Sequence, residues 1–147
     1  MSKKKYKDPE RLARRAALWI LYAADTTGRQ PRDLIDDARY SILELEQALV
    51  GQWSAVEERV HGVNDRFDLL NEQIQEVSPR WKLERMALID RNILRLGAWE
   101  LFEGKSNALI VINACIELAK EYGEKGTPAF VNGLLDQLCK NHKIAIA

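Results

Sequence analysis

The chain has 147 residues, 46% apolar and 30% charged, and its basic and acidic side chains balance to a formal charge of zero. This length accommodates one domain with a substantial core, and the composition is that of an ordinary globular protein. Zero net charge excludes a bulk field that would draw the whole molecule to nucleic acid or to a membrane.

The N-terminus departs from that balance. Residues 1–15 hold seven basic side chains against two acidic ones, a net +5, so residues 16–147 carry −5. A basic arm on an acidic body points to nucleic acid or another acidic surface. Lys3, Lys4, Lys5 and Lys7 are expected to be mobile, because like charges repel and nothing apolar ties them down. Asp8-Pro9 is a helix start, with Asp as N-cap and Pro at the first helical position. The helix is expected to run to about Asp25 and stop at Thr26, Thr27 and Gly28. Its core stripe is Ala13, Ala16, Ala17, Ile20, Leu21 and Ala24. Arg11, Arg15, Leu18 and Tyr22 share another face, which reads as a contacted surface.

A second helical region spans Pro31 to Ala48, with Leu34, Ile35, Ala38, Ile42 and Leu45 on its apolar side. A third spans Gly51 to Gln75, with Trp53, Val56, Val60, Val63, Phe67, Leu70 and Ile74. Gly62 falls inside it, where glycine costs about 1 kcal/mol against alanine. Ser78-Pro79 is the clearest linker. It separates sub-bundles of about residues 8–77 and 80–142, preceded by a flexible basic arm of residues 1–7. Trp81 to Phe102 reads as a spine helix, apolar on most sides and therefore packed on several. Asp90, Arg91, Asn92, Arg95 and Glu100 on that helix are costly unless paired or turned to a partner. Asn107 to Tyr122 forms the next helix and Gly123 ends it. Thr127-Pro128 opens the last, with Thr127 as N-cap and Phe130, Val131, Leu134, Leu135 and Leu138 inward. Gly133 inside this helix implies a close-packed neighbour.

No catalytic constellation is evident. His61 and His142 lie in different segments, without Cys or His at ligand spacing, so no metal site is expected. Gly123, Gly126 and Gly133 match no phosphate-binding loop, and no cofactor is expected. Cys115 and Cys139 sit in apolar helical patterns and read as buried reduced thiols of a cytoplasmic protein. The N-terminus lacks the apolar stretch of a secretory signal. No run is apolar and long enough to span a bilayer.

Four segments carry a resemblance from end to end: ARRAALWILYAAD, RVHGVNDRFDLLNEQI, WKLERMALIDRNILRLGAWEL and INACIELAKEYGEKGTPAFVNGLLDQL. Together they resemble the NusB family of bacterial transcription antitermination factors, most specifically in DRNILRL and FVNGLLD. The resemblance implies an all-α fold of two small helical bundles packed around a shared core, a single domain over residues 1–147. It implies no enzymatic activity. It implies binding of the boxA element of RNA, single-stranded, together with NusE, a ribosomal small-subunit protein. It also implies a place in the RNA polymerase antitermination complex, serving ribosomal RNA operons.

On this sequence the family's RNA-binding motif falls on Lys3, Lys4, Lys5, Lys7, Arg11, Arg14 and Arg15, and a family aromatic associated with RNA falls on Phe130. Contacts to NusE fall on Tyr22 and Asp90, with Leu18 and Arg95 beside them. Tyr22 and Asp90 are expected to be exposed and near each other. Asp90→Lys is then expected to weaken partner binding with little change in thermal midpoint. Where family members often carry consecutive arginines, this chain has Glu10-Arg11-Leu12, its basic charge moved upstream into lysines. An alternative is therefore a protein-interaction adaptor on the same fold, without specific RNA binding. A related domain also precedes the catalytic domain of some RNA cytosine methyltransferases, and that second domain is not expected within these 147 residues.

Overall fold

The computed structural model describes residues 9–146. Among them the elements are α1 Pro9–Thr27, α2 Pro31–Leu45, α3 Trp53–Asp65, α4 Phe67–Val77, α5 Leu88–Glu103, α6 Ala108–Tyr122 and α7 Thr127–Asn141. Short 3-10 turns occupy Gln47–Gln52 and Leu83–Arg85. No strand occurs among the described residues, so the all-α expectation is borne out. Asp8 and the four lysines of the arm lie outside the described residues.

The chain forms two compact units, which divide after Asp65. In the first, α1 packs against α2, α3 and the Gln47–Gln52 turn. The expected alanine stripe of α1 is buried in full. Pro31 stands at the first position of α2, where its missing N–H is no loss. That helix ends at Leu45 rather than Ala48 because the chain tightens into the 3-10 turn, which buries Leu49. Gly62 stays inside α3, and the break in the long third region comes instead at Arg66.

In the second unit α5 is central, packing against α4, α6 and α7. Residues Asn92 through Leu101 of α5 are all buried. Gly97 makes this closeness possible. A Cβ there would lie 2.8 Å from Cys115 Sγ on α6 and 3.0 Å from Leu135 Cδ1 on α7. The close-approach glycine is thus Gly97. Gly133 is exposed, and a Cβ there would meet nothing within 4 Å. The helix stops at Gly104, whose left-handed φ of 70° suits glycine. Asn107 caps α6 by accepting the Leu109 N–H at 2.8 Å. Both cysteines are buried, and burial raises the Cys139 thiol above its ordinary pKa, with Asp136 nearby adding to the shift.

The Ser78-Pro79 segment lies inside this second unit, because α4 buries Leu70 and Ile74 and packs on α5 and α7. The spine helix begins at Leu88, not Trp81. Residues 78–87 form a bent connection instead. Its cause is the Gln75 side chain, which takes over backbone groups that a helix would have used. Gln75 Nε2 donates to the carbonyls of Ser78 (2.8 Å) and Trp81 (2.9 Å), and its Oε1 accepts the Leu83 N–H at 2.9 Å.

Candidate nucleic-acid and partner interfaces

In the first unit, Arg11 and Arg15 are half-buried at the start of α1. Arg15 Nη1 lies 3.5 Å from the Glu46 carboxylate, a long and partly exposed pair that is worth little. Arg14 does not share their surface. It is only 2% exposed, with its Nη2 3.5 Å from Glu10. Leu18 is fully buried. Both corrections have one cause: Arg14 and Leu18 follow one another at i, i+4 spacing beside the alanine stripe and are buried with it, so the buried arc of α1 is wider than that stripe. An arginine or leucine so enclosed cannot meet RNA or a protein partner. Tyr22 is 40% exposed and does project from α1.

In the second unit, the polar residues of α5 are bound inward. Asp90 is half-buried and accepts a hydrogen bond from the Thr127 hydroxyl at 3.0 Å. Burial pushes its carboxyl above the usual carboxylate range. The Thr127 bond opposes that shift and the Glu124 charge adds to it. Thr127 Oγ1 also accepts the Glu124 N–H at 3.0 Å. Thr127 is therefore the first residue of α7 and not its cap, a place taken by Gly126. Its hydroxyl ties the start of α7 to the start of α5. Asp90→Lys consequently removes a structural bond and sets a cation against a helix N-terminus. A lower thermal midpoint is expected, not an unchanged one.

Arg91 Nη1 donates to the carbonyls of Leu83 (3.4 Å) and Glu84 (3.2 Å). Asn92 Nδ2 donates to the Leu88 carbonyl at 2.8 Å. Arg95 is 4% exposed. Its Nε donates to Asn71 Oδ1 at 2.8 Å and its Nη1 to Asn92 Oδ1 at 3.1 Å, while its guanidinium sits 4.5 Å from the centre of the Phe67 ring. Arg95 is thus a clamp between α5 and α4, and its expected partner contact is corrected on that ground.

Phe130 is half-buried. It borders a groove of about 260 Å³, whose other walls are Asp90 of α5 and the connection residues Trp81, Lys82, Arg85, Met86 and Ala87. Helical periodicity puts Trp81 at the head of a helix and gives no sign of this groove. The available signal was the run Ser78-Pro-Arg-Trp-Lys, an aromatic flanked by cations directly after a proline. Among the described residues no group of His, Cys, Asp or Glu is placed to hold a metal ion, and no helix is long and apolar enough to cross a membrane.

The NusB family profile matches residues 11–140. The chain belongs to the NusB family. A transcription antitermination protein NusB of Sorangium cellulosum is 38% identical over 130 residues, covering 87% of this chain and 89% of the relative. The structure of T. maritima NusB is 30% identical, with a TM-score of 0.71 over 91% of this chain and 92% of that one. A crystal structure of the antitermination factors NusB and NusE with dsRNA shares the fold, at 23% identity and a TM-score of 0.76, covering 92% of this chain and 98% of that one.

Proposed function

We propose that this chain is a transcription antitermination factor that binds boxA-type single-stranded RNA together with NusE and acts on ribosomal RNA operons within the RNA polymerase antitermination complex. Family membership over nearly the whole chain carries this reading. Relatives named as antitermination proteins also support reading it as a cytoplasmic factor and not an enzyme. In the first unit, the RNA-facing candidates are Arg11 and Arg15, next to Lys3, Lys4, Lys5 and Lys7. In the second, the candidate is Phe130. Tyr22 and Asp90 are the candidate contacts to NusE, each on its own unit. The two sub-bundles are read as parts of one functional domain.

The test is a titration of boxA-like and scrambled RNA, with and without NusE, at two salt concentrations. Each phosphate met by a lysine or arginine steepens the log–log salt slope by roughly 0.7 for a single strand. Replacing Lys3, Lys4, Lys5 and Lys7 with alanine should weaken all RNAs alike and flatten the slope. Replacing Arg11 and Arg15 should also reduce discrimination between the two RNAs. Burial of Arg14 leaves fewer helical arginines for RNA, which favours the adaptor reading as the second choice. Wild-type protein with NusE that shows no preference for the boxA-like RNA would establish that second reading.

A further inference from the structure

Trp81 is 64% exposed, whereas Trp53 and Trp99 are 5% exposed and Trp19 is half-buried. Its indole stands on a connection whose backbone is fixed. Gln75 and Ser78 both donate to the Trp81 carbonyl, and Arg91 holds the carbonyls of Leu83 and Glu84. All these bonds use backbone atoms of the connection, so the indole is presented without being consumed. A surface ordered in advance loses less entropy when a ligand arrives. The groove beside it, at about 260 Å³, falls short of the ~300–1,000 Å³ typical of pockets that enclose a small molecule. It suits one flat group. Two cations, Lys82 and Arg85, stand on its walls against one acid, Asp90. Aromatic surfaces with neighbouring cations are how proteins hold the unstacked bases and phosphates of single strands.

We propose that this groove takes one unstacked base of single-stranded RNA, stacked on the Trp81 indole with Phe130 as the second apolar wall, while Lys82 and Arg85 meet the flanking phosphates. The proposal rests on the RNA-binding reading above and adds a specific subsite to it.

The test titrates the full chain with a short, end-labelled boxA-like RNA, following label anisotropy and tryptophan emission together. Wild-type emission should fall on binding, and its quenching by acrylamide should diminish as Trp81 is covered. Trp81→Ala should weaken binding about tenfold, the scale of one base–aromatic stack. It should leave the helical circular dichroism unchanged, since no side-chain bond of Trp81 holds the connection. Trp81→Phe should keep most of the affinity. Lys82→Ala with Arg85→Ala should weaken binding and flatten the salt slope. Equal binding of RNA by wild type and Trp81→Ala would overturn the subsite while leaving RNA binding intact. Failure of the wild-type protein to bind RNA at all would overturn both.

Discussion

Helices α1 and α5 hold the same position in their respective units, each packed against several neighbours, yet they handle polar residues differently. On α1, Tyr22 projects to solvent and Arg11 and Arg15 remain partly accessible. On α5, Arg91, Asn92 and Arg95 are all turned to protein acceptors, and Asp90 is bonded to Thr127. No buried side-chain nitrogen or oxygen among the described residues lacks a hydrogen-bond partner. The contrast teaches that a charge on an apolar helix does not by itself announce a contact surface. Neighbours on every side convert it into a clamp, because a buried charge without bonds is too costly to keep.

The strongest way to break the contrast is to crowd α5. Gly97→Leu forces side-chain atoms into the space held by Cys115 and Leu135, and overpacking of this kind should cost about 3 kcal/mol, read from urea unfolding. A variant as stable as wild type would show that α6 and α7 can move apart without loss. Next comes Arg95→Ala. It strips Asn71 and Asn92 of a partner and removes the cation from the Phe67 ring, so about 2–3 kcal/mol should be lost. Were Arg95 a partner contact instead, stability would hold and only binding would fall.

Asp90→Asn gives a smaller, pH-dependent effect. The folded-state pKa of Asp90 is raised, chiefly by burial. The folded protein therefore holds that proton more tightly than the unfolded chain. The stability this group contributes is complete at low pH, and it declines as pH rises through the unfolded value of ~3.9 and past the raised folded one. Asparagine still accepts from Thr127 and does not ionise. The stability of Asp90→Asn relative to wild type should thus increase from acid pH toward neutrality, as seen in thermal midpoints measured across that range. A difference that stays flat or runs the other way would mean that the helix dipole and Thr127 outweigh burial. The smallest effect is expected on α1. Tyr22→Ala should change stability by no more than about 0.5 kcal/mol, as for an ordinary surface position, while weakening NusE binding. Loss of stability comparable to that of Arg95→Ala would erase the distinction between the two helices.

Helical periodicity and the prolines were enough to read α1, α6, α7 and the start of α2, because amphipathic spacing and the missing proline N–H act locally. The alanine stripe of α1, the helix Ala108–Tyr122 and, of the five positions expected inward on α7, Val131, Leu135 and Leu138 follow from it, whereas Phe130 and Leu134 are only half-buried. Other features depended on remote partners. Whether Leu18 is exposed depends on what covers α1, and the fate of residues 81–87 depends on Gln75, several positions away. The role of Arg95 depends on Asn71, which is 24 residues earlier. The two glycines illustrate the same limit: both lie inside helices, and only the placement of α6 and α7 makes Gly97 indispensable and Gly133 incidental.

Local spacing and motifs spread over the chain were sufficient for the helical class, the limits of α1 and α6, the basic N-terminus and the family. Tertiary structure alone decided which polar residues are clamps, and it assembled Trp81, Lys82, Arg85 and Phe130 around one groove. Hydrogen-bond satisfaction and close packing are properties of neighbours in space, and those neighbours come from segments whose meeting no periodicity encodes.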